Sequence, residues 1–285
     1  MQIPECHPMK TYQLIPVLLL TLVLNAHAQV DVIVGRWRLG ENDPGATASA
    51  ATIGATVNLA QVTYSLTKEG TVFYSADTPS SSLTPLGQST LSMSFTGAGT
   101  YNGYYRAISG WGGDLPAHTT NVAVEAWIKP ANLTLDDRVI LTLGRDNSGF
   151  AILQNGSDLE VRYGTSMVAR IVSSGLSLTD WTHVAFVRGT TTGTLYVNGT
   201  AVGYTTATIP AFDAITTYFG VGEQPSAPGG QNFVGLIDEV RYFTFTEGSF
   251  NTSMLNYAAV PEPSTYAAVG GLAALLLAVW RRRHA

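Results

Sequence analysis

The chain runs to 285 residues, of which 45% are hydrophobic and 12% charged, with a formal net charge of −5 and a single cysteine. A sparsely charged, acidic chain excludes nucleic acid and anionic lipid headgroups as partners, because both demand clustered Lys and Arg. Cys6 has no second cysteine to pair with, so disulfides and cysteine-ligated metals are excluded too.

From the N-terminus, the first element is targeting rather than fold. Lys10 is followed by YQLIPVLLLTLVL and then NAHAQV, with Ala26 and Ala28 at a small-x-small spacing. That order makes residues 1–28 a signal peptide cut after Ala28, with Met1 or Met9 as the start. Nothing amphipathic appears in the run, as a buried helix of the domain would require. Cleavage removes Cys6, Glu5 and Lys10 and leaves the body acidic, which keeps an exported protein soluble.

Residues 29–250 are enough for one large β domain with its own core. No sustained i, i+3, i+4, i+7 apolar stripe occurs there, so helices are few. Short alternations recur instead. In STLSMSFTG, Leu91, Met93 and Phe95 share one strand face and Ser92 and Ser94 the other. The pattern continues through NVAVEAWIKP, DRVILTLG, GFAILQNG, LEVRYG, WTHVAFVRG, TLYVNGTAV, TTYFGVG and FVGLIDEVRYF. Asn155-Gly156 and Asn198-Gly199 supply the positive φ that tight hairpins need. The expectation is an all-β fold, a two-sheet antiparallel jelly-roll sandwich, with Trp127 and Trp181 packed between the sheets. His183 falls on the same strand face as Trp181 and Ala185 and reads as a hydrogen-bonded strand histidine.

After a linker at 251–263, residues 264–285 form a second greasy end. Tyr266 to Trp280 is uncharged and able to enter hydrocarbon as a helix, but at about 22 Å it is short against a core of about 30 Å. Arg281, Arg282 and Arg283 follow and hold that end on the cytoplasmic side, leaving the body outside. The set of Val260, Pro261, Glu262 and Pro263, the short apolar helix and the three arginines resembles the PEP-CTERM sorting signal. The resemblance implies recognition by an exosortase, cleavage near Pro-Glu-Pro, and export to the surface or matrix of a bacterium that makes exopolysaccharide. An uncleaved tail anchor is the alternative.

The strand segments carry a second resemblance. VAVEAWIKP, WTHVAFVRG, LYVNG and GLIDEVRYF, in that order, with GRWRLGENDPGA and LSMSFTGAGTY before them, resemble the laminin G-like branch of the concanavalin A-like jelly rolls. The match runs from Val34 to Phe245. It implies the fold, which serves as sugar-binding module, adhesion domain, hydrolase and spacer alike, so function rests on a site.

Three kinds of site are legible. A glycosidase needs two carboxylates facing one cleft. The Glu-x-Asp-x-x-Glu strand of the fold's hydrolases is absent, and Asp238 and Glu239 are adjacent, which expects them on opposite faces. No Gly-x-Ser-x-Gly elbow, His-Glu-x-x-His or phosphate loop occurs either, so an enzyme is not expected. A metal is the second kind. Asp238 alternates with Leu236, Val240 and Tyr242, which points it inward, where a lone charge is costly. Either it shares Ca²⁺ with Glu41 or Asp43, as in some relatives of the resembled family, or Arg and backbone N–H groups satisfy it. Sugar binding is the third. TYNGYYRAISGWGGDLPAH gathers Tyr104, Tyr105, Trp111 and Asp114 in a Gly-rich segment, the aromatic and polar mixture of a saccharide site, or else an edge strand covering the core. The expected role is a non-catalytic exported protein that binds extracellular polysaccharide or a surface protein; the alternative is a polysaccharide-acting glycoside hydrolase of the same fold.

Overall fold

The computed structural model describes residues 32–50, 55–57, 59–60, 65–81, 83–97, 103–108, 120–145, 148–163, 169–205, 217–223, 231–258 and 279–283. The expected signal peptide at 1–28 and the Pro-Glu-Pro motif at 260–263 lie outside these residues. Arg281, Arg282 and Arg283 belong to a helical, exposed stretch at 279–283. Among the described residues no helix is long and apolar enough to cross a membrane.

Sixteen described strands form two antiparallel sheets. The first runs β14 (Thr200–Thr205), β13 (Gly193–Val197), β12 (Thr182–Arg188), β7 (Val122–Pro130), β16 (Val234–Thr244), β5 (Ser92–Thr96) and β4 (Val72–Ser75), with β1 (Val32–Trp37) also paired to β16. The second runs β11 (Ala169–Ser173), β10 (Asp158–Tyr163), β9 (Ser148–Asn155), β8 (Arg138–Arg145), β15 (Thr217–Val221), β6 (Gly103–Ile108), β3 (Leu66–Glu69) and β2 (Ala55–Thr56). The jelly-roll expectation holds. Inner faces meet through rings: Trp37 stacks on Phe219 at 5.0 Å, Phe219 on Tyr242 at 5.9 Å, and Phe150 meets Phe186 edge-on at 4.6 Å. Met93 and Phe95 are buried in this core, as their alternation requires.

Two turns follow from their residues. Asn198 (φ 47°) and Gly199 (φ 71°) both take positive φ, the type I′ pattern, between β13 and β14. Between β9 and β10 the loop is Gly156-Ser157, one residue later than Asn155-Gly156, because Asn155 pairs with Asp158. Gly156 alone carries positive φ (62°), as type II′ requires.

The first sheet is covered on both faces. Every residue of β12, and all of β7 except Lys129, is buried. The outer face is roofed by the loop before β5 and by residues 245–258, which leave β16, make a 3-10 turn at Thr252–Met254 and return across the strands. Ala123, Ala185, Val187, Phe243, Phe245, Met254 and Leu255 form a second apolar cluster beneath that segment. Trp127 is therefore buried outside the two-sheet core: its indole donates to the Asn256 carbonyl at 3.0 Å and its ring lies 5.8 Å from Tyr257. Trp181 is only half-buried and precedes β12, donating to Asp77 at 2.8 Å. Neither tryptophan packs between the sheets, because each stands on the parity opposite to the core residues Ala126, Ile128 and Val184.

A register shift lies between Asp238 and Arg241 on β16, and Glu239 there has φ 48°. One extra residue resets the parity. Ile237, Val240 and Tyr242 enter the core, whereas Asp238 pairs with Trp127 and Arg241 with Glu125 on the outer face. Asp238 thus does not share a face with Val240 and Tyr242, and it is buried by the roof instead of the core.

Candidate functional site

The outer face of the first sheet holds most of the buried charge. Glu125 on β7, fully buried, accepts from His183 Nε2 at 2.9 Å, from the Asn256 amide at 3.0 Å and from Arg241 Nε. Arg241 also donates to the Met254 carbonyl. Burial alone would raise the Glu125 carboxyl, but Arg241 and His183 more than offset it and hold it below the usual carboxylate range. His183, expected as a hydrogen-bonded strand histidine, makes its bond to this carboxylate. The cluster ties three strands to the covering segment and leaves no side of the carboxylate open.

Asp238 and Glu239 lie next to it. Glu239 accepts from Arg38 Nε at 2.6 Å and Arg36 Nη2 at 3.1 Å. Arg36 pairs across β1 with Arg241, so Glu239 and Asp238 end on the same outer side, not on opposite faces. The expectation of opposed faces assumed an unbroken strand; the bulge removes that premise. Both residues are buried, and Glu239 is ion-paired twice.

Asp238 accepts from the Glu239 amide at 2.7 Å, and its buried Oδ2 has no hydrogen bond of its own. Burial first, then the Glu239 and Glu41 charges, push its carboxyl well above the usual range. Glu41 comes from the opening loop. Its Oε1 accepts from Ser89, Thr90 and the Leu91 amide, while Oε2 is buried without a partner. The Ser89 hydroxyl reaches both carboxylates. Two orphaned carboxylate oxygens around one hydroxyl are hard donors of the kind calcium takes. Among the described residues no third His, Cys, Asp or Glu joins them in a metal-holding group. Asp43, the third expected ligand, accepts from Thr56 Oγ1 at 3.0 Å, the Val57 amide at 2.9 Å and Tyr74 OH at 3.0 Å. Burial raises its carboxyl despite these bonds.

On the second sheet, buried Glu160 accepts from Arg162 Nε at 2.8 Å, Arg170 Nε at 3.1 Å and Asn155 Nδ2 at 3.3 Å. At the surface, Asp77 accepts from Lys129 at 2.8 Å as well as from Trp181. Partial burial would raise the Asp77 carboxyl, but these two bonds bring it below its usual value.

The expected saccharide residues are only partly placed. Tyr104 and Tyr105 lie on β6, where Tyr105 pairs with Gly220 on one side and Thr67 on the other. Trp111 and Asp114 lie outside the described residues. Sequence reading missed the Glu125–His183–Arg241 cluster; the signal was present in VAVEAWI and THVAFV, near-continuous apolar runs in which a lone Glu or His must find a partner.

A family model described as the concanavalin A-like lectin/glucanases superfamily, of the laminin G type, matches residues 102–246. Among solved structures, domain 4 of AbnA, a GH43 extracellular arabinanase from Geobacillus stearothermophilus in complex with arabinotriose, is 19% identical with a TM-score of 0.51. The alignment covers 79% of this chain and 98% of that one. Trypanosoma rangeli sialidase in complex with sialic acid is 14% identical with a TM-score of 0.54, covering 80% of this chain and 33% of that one, so the match spans a third of the sialidase. At these identities the likeness is one of fold. No curated protein matches the chain.

Proposed function

The chain belongs to the concanavalin A-like lectin/glucanases superfamily, and we propose that its domain is an exported, non-catalytic module that binds extracellular polysaccharide. One observation carries the reading. On the outer face of the first sheet, the neighbouring carboxylates are shut away from solvent: Asp238 and Glu239 beneath the roof, and Glu41 with one oxygen sealed. Glycoside hydrolysis needs an open pair, one of them able to give up a proton to substrate. An arabinanase domain of this fold seen with arabinotriose accords with a saccharide ligand. The Tyr104, Tyr105, Trp111 and Asp114 segment is the proposed contact.

The two ends supply the address. The signal peptide exports the chain, the short helix holds it in the membrane at least transiently, and an exosortase acts near Val260 to Pro263. Calcium belongs to the same proposal: Glu41 and Asp238 would hold it, supplying positive charge that offsets two buried carboxylates.

A glycan array with a reducing-sugar assay on the same protein tests the role. Binding without sugar release is expected; release from any polysaccharide overturns the non-catalytic reading. Trp111→Ala is expected to abolish retention with the circular dichroism unchanged. Mass spectrometry of the mature C-terminus, expected to end near Pro263, tests the sorting step.

A further inference from the structure

One end of the first sheet carries a cavity of about 330 Å³. Three stretches far apart in sequence converge on it: Asn121 ahead of β7, the β12–β13 loop, and the turn after β16. Each stretch is braced. The Phe245 amide donates to the Asn121 carbonyl at 3.0 Å, Gly189 to Thr192 at 2.9 Å, and Ser249 to Thr246 at 2.9 Å. Val187 and Phe245, both buried, are the apolar lining, set in the second apolar cluster.

Two half-buried rings make a corner. Tyr196 and Phe250 stand 5.5 Å apart at 52°, and Phe245 backs Phe250 at 5.3 Å. Burial raises the Tyr196 phenol, which stays a neutral donor. Thr190, Thr191 and Thr192 of the β12–β13 loop add three hydroxyl-bearing side chains to the lining. Glu247 is the one charged side chain among the described lining residues. At the lower end of the range for ligand pockets, roughly 300–1,000 Å³, the volume suits a single ring.

We propose that this cavity, walled by Tyr196, Phe250, the Thr190–Thr192 loop and Glu247, seats one pyranose unit bearing hydroxyl or ammonium donors and no acidic group. Aromatic faces take the C–H face of a sugar, and threonine hydroxyls pair with its hydroxyls as both donor and acceptor. An ionised Glu247 accepts only, so a uronic acid or sulfated sugar would set like charge against like. The hydroxyl array favours a polyol ring over the bare stem of a partner's lysine, the other cation an aromatic corner accepts. The inference rests on the polysaccharide-binding reading and adds a subsite with a stated selectivity.

Calorimetry of the exported full chain in 0.5 M salt, which screens long-range charge, tests it with three probes: laminarihexaose, fully deacetylated chitohexaose and hexagalacturonate. At least one of the first two is expected to bind and the third not. Glu247→Gln is expected to weaken that binding about tenfold, the scale of one hydrogen bond to a charged group. Thr191→Ala, at an exposed position whose change leaves the core untouched, provides a second reading and is expected to weaken it several-fold. Equal binding of hexagalacturonate, or affinity unmoved by both substitutions, overturns the subsite. If the surviving affinity is lost in Trp111→Ala, the domain-level reading stands without it; if the wild type binds no oligosaccharide, both fall.

Discussion

Asp238 and Glu125 sit on one sheet face and respond to acid in opposite directions. The Asp238 carboxyl is raised by burial and by Glu239 and Glu41, so its neutral form stabilises the fold. That contribution is complete below the ordinary carboxylate value and is lost as pH rises through the raised one. Calcium held there, as proposed, would favour the ionised form and reverse the trend. Scanning fluorimetry in EDTA is therefore expected to show the melting temperature falling from acid to neutral pH, with calcium restoring it. Asp238→Asn should remove both the fall and the restoration; a calcium response that persists in this variant sinks the proposed ligand. Glu125 is lowered, so its contribution is present above the ordinary value and lost as pH falls through the lowered one. Replacing it, as in Glu125→Gln, leaves Arg241 buried without its counter-charge, an expected loss of about 3–5 kcal/mol in urea unfolding. The inward placement of Met93 and Phe95 was legible because their strand is unbroken. The outer placement of Asp238 was not, since an inserted residue at Glu239 reverses parity and Asp-Glu-Val spells no sign of it.

Among elements, the covering segment at 245–258 depends on the hairpin it crosses. A Cβ at Gly199 would stand 2.7 Å from the Tyr257 ring, and φ there is +71°. Gly199→Ala is expected to cost about 1–2 kcal/mol through the left-handed backbone alone. The collision with Tyr257 should add faster hydrogen exchange at the Asn256 and Ala258 amides; unchanged exchange there would show that hairpin and segment are independent. The hairpins could be read locally, Asn198-Gly199 to the residue and the β9–β10 turn within one. The roof could not: SFNTSMLNYAA has neither period 2 nor period 3.6, and its buried positions, Met254, Leu255 and Asn256, follow the surface below rather than any repeat of their own. The cavity at Tyr196 was hidden for a related reason, since its walls come from three loops that only the strand order brings together.

For the whole molecule, the sandwich and its boundary can be tested by truncation. Ending the chain after residue 258 is expected to leave the melting temperature within about 2 °C of the longer protein. Ending it after residue 244 uncovers the second apolar cluster and strips Glu125 of the Asn256 amide, and a drop of more than about 10 °C is expected. Equal stability of the two truncations would mean that the segment is an ornament. The last bond that holds the described domain at this end runs from the Ala258 amide to the Leu83 carbonyl, at 2.9 Å. A tether attached beyond that point would pull on the roof before it reached any strand. Tension would peel Ala258, Asn256 and Met254 away in turn, exposing Trp127 and Glu125 while both sheets stayed whole, so a surface-anchored molecule under flow would yield first at this seam.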